Sequence, residues 1–220
     1  MTQKLTILFD LDGTLVDTAP DLMEAHNHVM KKFGHEQKKI EDIKHIAGKG
    51  AWIMMQKSFK ETISDENLKK EMVKEFLNYY AKNIDKGSKP NKGIIDFLNW
   101  ANKNEIKMAV CTNKQERLAV DLLKKINLEK YFHYVAGCDT FDFNKPDPRH
   151  LTNVVEIIGG NINKTIMVGD SEVDSQSAIS AKIPFVLVKD GYTEKKIDQI
   201  PHDLIIKDFS NFEKVIEKYL

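Results

Sequence analysis

Short apolar runs recur along the chain and alternate with longer stretches of helical periodicity. The runs are continuous, which is typical of strands in a parallel sheet that helices cover on both faces. The predicted strands are Leu5–Leu11, Lys107–Asn113, Tyr134–Gly137, Thr165–Asp170, Pro184–Asp190 and Asp203–Lys207. Helical patterns lie between them, at Gly93–Asn104, Gln115–Ile126 and Pro148–Gly159. This alternation predicts an α/β fold with a doubly wound, Rossmann-like parallel sheet.

The segment after the first strand breaks this alternation. From Asp17 to about Asp85 we find no convincing strand pattern, and helical patterns predominate. The predicted helices are Leu22–Phe33, Ile40–Ile46, Trp52–Phe59 and Asn67–Asn83. A turn-rich stretch, Lys86–Gly93, follows them. We therefore predict an inserted all-helical cap domain at residues 17–88 and a core domain formed by residues 1–16 and 89–220.

Acidic residues lie at the carboxyl ends of two predicted strands, where parallel sheets bind ligands. Asp10 and Asp12 end the first strand, and their spacing places both on the same face. Asp170 ends a later strand, and Asp174 follows one helical turn further on. Repulsion among four such acids is relieved when a cation lies between them. Hard oxygen ligands in this number predict a Mg²⁺ site.

Other polar residues at these strand ends could bind phosphate. Thr112 offers a hydroxyl, Asn113 an amide, and Lys145 a point charge suited to phosphate. Taken singly, each is also explained by a helix N-cap or a surface lysine. Together with a metal and a carboxylate, they predict a phosphoryl-transfer site. Pro146, directly after Lys145, is expected to open a helix.

The composition gives no support to several other classes of partner. The 220 residues include 33 basic and 33 acidic side chains, so the formal net charge is zero. This balance gives no reason to expect nucleic acid or an anionic membrane as a partner. No stretch approaches the roughly 18 apolar residues that a membrane span needs, and no secretory signal is recognised before Asp10. We therefore expect a cytoplasmic protein.

The motifs, in this order, resemble those of the haloacid dehalogenase-like superfamily of phosphotransferases. They are DLDGT at Asp10–Thr14, CTN with Thr112, KP with Lys145, and GDSEVD at Gly169–Asp174. The resemblance extends over nearly the whole chain and includes a helical cap after the first strand. Within the superfamily, FDLDGTLVDTAPDL, KPDP, MVGDSEVD and VKDGY are most similar to the bacterial phosphoglycolate phosphatases.

The resemblance implies separate roles for the acids. Asp10 would be the nucleophile that becomes an aspartyl-phosphate, and Asp12 would be the general acid and base. Mg²⁺ would be held by Asp10, by the backbone carbonyl of Asp12 and by Asp170. Asp174 would be a ligand through water or an acid that orients the others.

The resemblance also implies how the phosphoryl group is bound. Thr112, the backbone N–H of Asn113 and Lys145 would contact its oxygens. Gly13 would allow the sharp turn after the first strand, and Thr14 would hold that turn in place.

Lys44–Trp52 is the best candidate within the cap for substrate recognition. Gly48, Lys49 and Gly50 precede a predicted helix, so backbone N–H groups and Lys49 could bind the carboxylate of a small acid such as 2-phosphoglycolate. The alternative is a glycine-rich turn with a solvated lysine. Large apolar residues such as Phe9 and Trp52 are expected to pack in cores.

We expect a Mg²⁺-dependent phosphatase, a monomer or homodimer, that acts on a small phosphate monoester, with 2-phosphoglycolate as the favoured substrate. Alternatives within the superfamily are a phosphosugar mutase that resembles β-phosphoglucomutase, a pyrophosphatase and a nucleotidase. An alternative from another class is a non-catalytic phosphoacceptor or regulatory module. Asp12 counts against the last alternative, because a mere acceptor needs no general acid.

Overall fold

A computed structural model describes residues 4–59 and 65–217 of the chain. Its strands are β1 Thr6–Phe9, β2 Val16–Asp17, β3 Lys89–Pro90, β4 Lys107–Cys111, β5 Tyr134–Ala136, β6 Thr165–Gly169, β7 Phe185–Val188 and β8 Leu204–Ile206. Its helices are α1 Ala19–Lys32, α2 Ile40–Ile46, α3 Ala51–Phe59, α4 Glu66–Asn83, α5 Ile94–Lys103, α6 Glu116–Lys125, α7 Pro148–Ile157, α8 Glu172–Ala181 and α9 Phe212–Ile216. Within these residues, every helix is too short or too polar to cross a membrane.

Six strands form one parallel sheet in the order β5-β4-β1-β6-β7-β8. The central strand β1 is buried on both faces, because Ile7 and Phe9 pack into one hydrophobic cluster and Leu8 packs into another. The first cluster includes residues of α5, α6 and α9, and the second includes residues of α7 and α8. Helices thus cover both faces of the sheet, which explains the continuous apolar runs. The predicted fold class is confirmed.

Helices α1 to α4 lie between β2 and β3, two short strands that pair antiparallel. Val16 pairs with Pro90 and Asp17 with Lys89, so the chain leaves the sheet and returns to it side by side. Helix α1 begins at Ala19, earlier than predicted, because Pro20 fits the first turn of a helix. The division into domains at residues 17 and 88 stays a prediction.

A buried carboxylate joins the two chain crossings between the sheet and these helices. Asp21, in the first turn of α1, accepts hydrogen bonds from the backbone N–H groups of Gly87 and Ser88 at 2.7 and 2.8 Å. The Ser88 hydroxyl donates a third, at 2.6 Å. Hydrogen bonds to a charged acceptor are among the stronger ones. Asp21 therefore holds the start of α1 against the segment that leads into β3.

Candidate active site

The carboxyl ends of β1, β4 and β6 meet at one edge of the sheet. Phe9 of β1 pairs in register with Val110 and Val168 of its two neighbours. The residues that follow these strands, among them Asp10 and Asp170, are therefore brought close together, and both are buried. The convergence that the sequence predicts is found in the structure.

Lys145 lies between two of the predicted acids. Its Nζ donates hydrogen bonds to Oδ1 of Asp10 at 2.7 Å and to Oδ1 of Asp174 at 2.6 Å. The lysine side chain is only 2% exposed. It extends from the loop before α7, a helix that begins at Pro148 with Asp147 as its N-cap. The helical pattern predicted from Pro148 is confirmed. Pro146 does not open this helix, because the Asp147 carboxylate accepts the N–H of Arg149 and sets the start two residues later.

For both Asp10 and Lys145, burial and the opposite charge nearby shift the pKa in opposite directions. Burial raises the pKa of Asp10 to about 6, against the lowering effect of Lys145 and with a contribution from Asp174. Burial disfavours the charged ammonium of Lys145, but Asp10 and Asp174 together raise its pKa above the ordinary value. Lys145 therefore stays a cation in a site with an excess of acids.

Three buried carboxylates form a cluster that fits a divalent cation. Asp10, Asp170 and Asp174 each contribute one oxygen, and these oxygens lie within 4.8 Å of one another. Burial, with the charges of Asp10 and Asp174, raises the pKa of Asp170 well above its usual range. Lys145 balances only part of this negative charge. Hard oxygen donors that lack a counter-charge are the ligand set that Mg²⁺ prefers.

Two neighbours fix the Asp170 carboxylate. The Thr14 hydroxyl donates to Oδ1 at 2.7 Å, and the backbone N–H of Tyr192 donates to Oδ2. Gly13 packs against the same carboxylate with φ +84°, and a Cβ at this position would overlap Asp170 Oδ2. The turn after β1 therefore requires glycine for two reasons, its backbone conformation and the space it leaves.

The carboxylate of Asp12 lies outside the acid cluster and has different partners. Thr18 donates its hydroxyl to Oδ1 at 2.7 Å, and Lys114 Nζ lies 2.7 Å from both carboxylate oxygens. The Lys114 side chain is only 5% exposed. The sequence interpretation missed Lys114, although it directly follows Thr112 and Asn113 at the end of β4. The signal that points to Lys114 is its place in the run Thr112–Lys114, here called the TNK run.

Thr112 and Asn113 lie at this edge as predicted, and both are buried. The Thr112 hydroxyl accepts the backbone N–H of Lys114 at 3.2 Å. The Asn113 side chain donates to the backbone carbonyl of Lys145 at 3.1 Å, so it holds the loop that carries the lysine. The roles of Thr112 and Asn113 in binding a phosphoryl group stay predictions.

A cavity of about 450 Å³ separates the sheet edge from the helices α3 and α4. Asp10, Asp12 and the TNK run line it on one side. The opposite wall is largely apolar, with Trp52, Met54, Val73, Phe76, Leu77 and Tyr80. Trp52 is 37% exposed, so its expected place in a core is wrong, whereas Phe9 is fully buried as expected.

Lys49 lines the same cavity, but its ammonium already has acidic partners. Nζ lies 2.8 Å from Glu172 of α8 and 3.1 Å from Glu194. Lys57 of α3 also pairs with Glu194. These ion pairs connect α3 and the residues just before it with α8 and with the loop after β7. Recognition of a substrate carboxylate by Lys49 stays a prediction.

Tyr192 is the last residue of the VKDGY motif, to which the resemblance assigns no separate role. Its hydroxyl donates to Asp17 Oδ1 at 2.6 Å and accepts the backbone N–H of Ala19 at 2.7 Å. Its backbone N–H donates to Asp170. One residue therefore connects the acid cluster with the first crossing into α1.

The chain is similar to a known protein family, to curated proteins and to solved structures. The family described as haloacid dehalogenase-like hydrolase matches residues 7–188. A phosphoglycolate phosphatase of Agrobacterium fabrum is 39% identical over 218 residues, which cover 96% of this chain and 94% of that protein. The crystal structure of a predicted phosphoglycolate phosphatase of Haemophilus somnus matches with a TM-score of 0.92 and 27% identity, over 99% of this chain and all of the other.

A structure described as a β-phosphoglucomutase of Clostridium difficile shares the fold. It matches with a TM-score of 0.79 and 21% identity, over 99% of this chain and 97% of the other. The family match and the phosphoglycolate phosphatase of Agrobacterium fabrum confirm the predicted family and the prediction of an enzyme that is a phosphoric monoester hydrolase. The chain belongs to the haloacid dehalogenase-like hydrolase family.

Proposed function

We propose that the chain is a Mg²⁺-dependent phosphatase whose favoured substrate is 2-phosphoglycolate and which works through an aspartyl-phosphate. The observation that carries this proposal is the difference between two acids only two residues apart. Asp10 lies in the buried acid cluster beside Lys145, whereas Asp12 lies at the cavity with Thr18 and Lys114. Two carboxylates in different environments can divide nucleophilic and acid–base roles between them.

In this mechanism Asp10 attacks phosphorus, and the bond from phosphorus to the ester oxygen breaks. Asp12 gives its proton to the departing alkoxide, which is otherwise a poor leaving group. Asp12 then takes a proton from a water molecule whose oxygen attacks phosphorus, and the bond from phosphorus to the Asp10 carboxylate oxygen breaks. Inorganic phosphate leaves, and the carboxylate of Asp10 is restored.

Three groups would bind the oxygens of the phosphoryl group in this mechanism. They are the Thr112 hydroxyl, the Asn113 backbone N–H and the Lys145 ammonium. The position of Lys145, 2.7 Å from the proposed nucleophile, supports this role. A lysine there stabilises the negative charge that spreads over the phosphoryl oxygens in the transition state.

The Mg²⁺ ion would be held by Asp10, by Asp170 and by the backbone carbonyl of Asp12. Asp174 would hold it directly or through water. The bound ion supplies positive charge that balances the acids and the substrate phosphate. Asp174 has both oxygens occupied, one by Lys145 and the other by the hydroxyl of Ser171 at 2.7 Å. These contacts support an orienting role for Asp174.

A phosphosugar mutase of the same family is the nearest rival. The β-phosphoglucomutase that matches this chain is only 21% identical, so it bears on the fold alone. The phosphoglycolate phosphatase of Agrobacterium fabrum, at 39% identity, favours the phosphatase. A cytoplasmic location and a monomeric or homodimeric state stay predictions.

The test is a panel of substrates with magnesium or with EDTA, with phosphate release as the readout. The panel contains 2-phosphoglycolate, β-glucose 1-phosphate with and without glucose 1,6-bisphosphate, pyrophosphate and a nucleoside monophosphate. We expect release from 2-phosphoglycolate with magnesium alone. Turnover that requires the bisphosphate and releases little phosphate would select the mutase.

The mechanism has its own control. Asp10→Asn should keep its fold by circular dichroism and lose nearly all turnover. In the wild-type enzyme, acid quenching during turnover should trap a phosphoryl group on the peptide that contains Asp10. An Asp10→Asn variant that still hydrolyses the best substrate would contradict the assignment of the nucleophile.

A further inference from the structure

Lys114 is a buried cation at the cavity with hydrogen-bonding capacity left over. A lysine ammonium has three N–H donors. Among the described residues, only Asp12 accepts hydrogen bonds from Lys114 Nζ, one at each carboxylate oxygen. The third donor is therefore available to a ligand.

Tyr80 of α4 lies against this ammonium and has an unused donor of its own. Lys114 Nζ lies 4.7 Å from the centre of the Tyr80 ring, which is a cation–π contact. Tyr80 is 1% exposed, and its hydroxyl has no hydrogen-bond partner in the part of the chain that the structure describes. Burial, with the charges of Asp12 and Asp21, raises the pKa of Tyr80 well above its usual range, so the phenol keeps its proton. An unpaired buried donor is costly, and a ligand is one way to satisfy it.

The position of this pair matches the shape of the proposed substrate. In 2-phosphoglycolate a single methylene group separates the ester oxygen from the carboxylate. The ester oxygen has to lie within hydrogen-bond reach of Asp12 if Asp12 protonates it. The carboxylate then falls close to the cation that pairs with Asp12, which is Lys114.

Among the described residues that line the cavity, Lys49 and Lys114 are the two with positive charge. The ammonium of Lys49 pairs with Glu172 and Glu194, and a substrate carboxylate would have to compete with both. Lys114 has one acidic partner and lies at the proposed general acid. The charge distribution therefore favours Lys114 over Lys49 as the lysine that binds the substrate carboxylate.

We propose that Lys114 and Tyr80 bind the carboxylate of the substrate and select small phosphorylated acids over neutral phosphate esters. The inference rests on the proposed function and names the groups that read the substrate. Lys114 supplies charge and one N–H, and Tyr80 supplies its hydroxyl and holds the ammonium against its ring.

The test compares 2-phosphoglycolate with ethyl phosphate, in which a methyl group replaces the carboxylate. The readout is the ratio of the two kcat/KM values, because a general loss of catalysis cancels in it. Lys114→Met should lower this ratio by roughly 10- to 100-fold, the effect of one hydrogen bond to a charged group. Its KM for 2-phosphoglycolate should rise. The same substitution at Lys49 tests the competing lysine.

Tyr80→Phe removes only the hydroxyl and keeps the ring, so it remains informative if Lys114→Met fails to fold. It should lower the ratio by roughly 10-fold. Tyr131→Phe is the matched control, because its hydroxyl bonds to Asn99 at 2.8 Å and Tyr131 does not line the cavity.

Three results would overturn the inference. One is an equal loss for both substrates in Lys114→Met together with an unchanged ratio in Tyr80→Phe, because Lys114 would then act only through Asp12. Another is a fall of the ratio in Lys49→Met but not in Lys114→Met. A wild-type enzyme that hydrolyses both esters equally well would refute carboxylate recognition and leave the phosphatase intact. Hydrolysis of neither ester would refute the proposed function itself.

Discussion

Lys145 Nζ lies 2.7 Å from Oδ1 of Asp10, although 135 positions separate the two residues in the chain. Both side chains are buried, so neither charge can be balanced by solvent. A buried ion pair depends on both partners, because removal of one leaves the other charge unpaired. The site and the stability of the fold are therefore linked through this lysine.

Lys145→Met should lower the free energy of unfolding by about 3–5 kcal/mol in EDTA, because Asp10 and Asp174 lose their cation. It should also abolish most phosphate release. Urea unfolding and a phosphate assay measure the two effects. Lys107→Met is the control, because Lys107 donates to the backbone carbonyl of Ile158 at 2.8 Å, away from the site. A Lys145→Met variant as stable and active as the wild type would contradict this role.

Asp170→Asn should have the opposite effect on the stability of the metal-free protein. Burial and the neighbouring acids raise the pKa of Asp170, so its ionised form is unfavourable in the fold. We expect a gain of about 1 kcal/mol in EDTA, or roughly 2–4 °C in Tm. Asparagine still accepts from Thr14 but loses the bond from the Tyr192 N–H, which limits the gain.

Magnesium added in thermal melts should then distinguish the wild type from Asp170→Asn by the change in Tm. The ion should raise the Tm of the wild type, because it binds the folded state alone. It should leave the Tm of Asp170→Asn nearly unchanged. Asp198→Asn, at an exposed acid, should respond as the wild type does. An equal response of Asp170→Asn and the wild type would show that Asp170 does not hold the ion.

Gly13→Ala separates backbone strain from collision with the acid cluster when it is compared with Gly34→Ala. Both glycines have positive φ, +84° and +75°, but only at Gly13 would a Cβ overlap Asp170. At Gly34 a Cβ meets no atom within 4 Å. Each variant should lose about 1–2 kcal/mol of stability from the left-handed backbone.

Only Gly13→Ala should also lose activity, on the order of 100-fold, because Asp170 has to move. Steady-state kinetics and urea unfolding of both variants provide the measurement. Equal activity of the two variants would show that the turn after β1 tolerates a side chain.

His150 should make the protein less stable in mild acid. Burial, with the charge of Lys145, lowers the pKa of His150 to about 4, while the unfolded chain keeps a value near 6.5. Below pH 6.5 the unfolded chain therefore takes up a proton that the folded protein refuses until about pH 4. Stability falls through this window, by about 2 kcal/mol at pH 5.

His150→Gln should remove most of that loss, because glutamine does not titrate and can still donate to the Gly137 carbonyl that accepts from Nε2 at 3.1 Å. Urea unfolding at pH 7 and pH 5 gives the difference for each protein. His202→Gln, at an exposed histidine, is the matched control. If the pH dependence of His150→Gln equals that of the wild type, other groups cause the acid sensitivity.

The acids of the site could be predicted because they follow strands that the sequence makes easy to recognise. Asp10 and Asp170 come directly after buried runs, and the parallel order of β1 and β6 brings them together. The helical pattern from Pro148 predicted the start of α7, although a second proline, Pro146, also suits a first helical turn. Only the Asp147 cap distinguishes them.

The remaining parts of the site depend on contacts between distant segments. Lys114 and Tyr80 meet because α4 folds over the end of β4, and no local pattern encodes that approach. A lysine in a lysine-rich chain and a tyrosine in an amphipathic helix have ordinary explanations when each is read alone. The position of Trp52 at the cavity could not be predicted either, because it depends on how α3 is placed in the fold.

The neighbouring crossings at Val16–Asp17 and Lys89–Pro90 have an evolutionary consequence. Because departure and return share one short ribbon, a helical insert of another size or sequence can be exchanged there without a change in any strand of the parallel sheet. The acids after β1 and β6 would keep their places through such an exchange. The residues that carry the reaction and those that select the substrate can thus evolve separately, so that substrate preference changes while the reaction is kept.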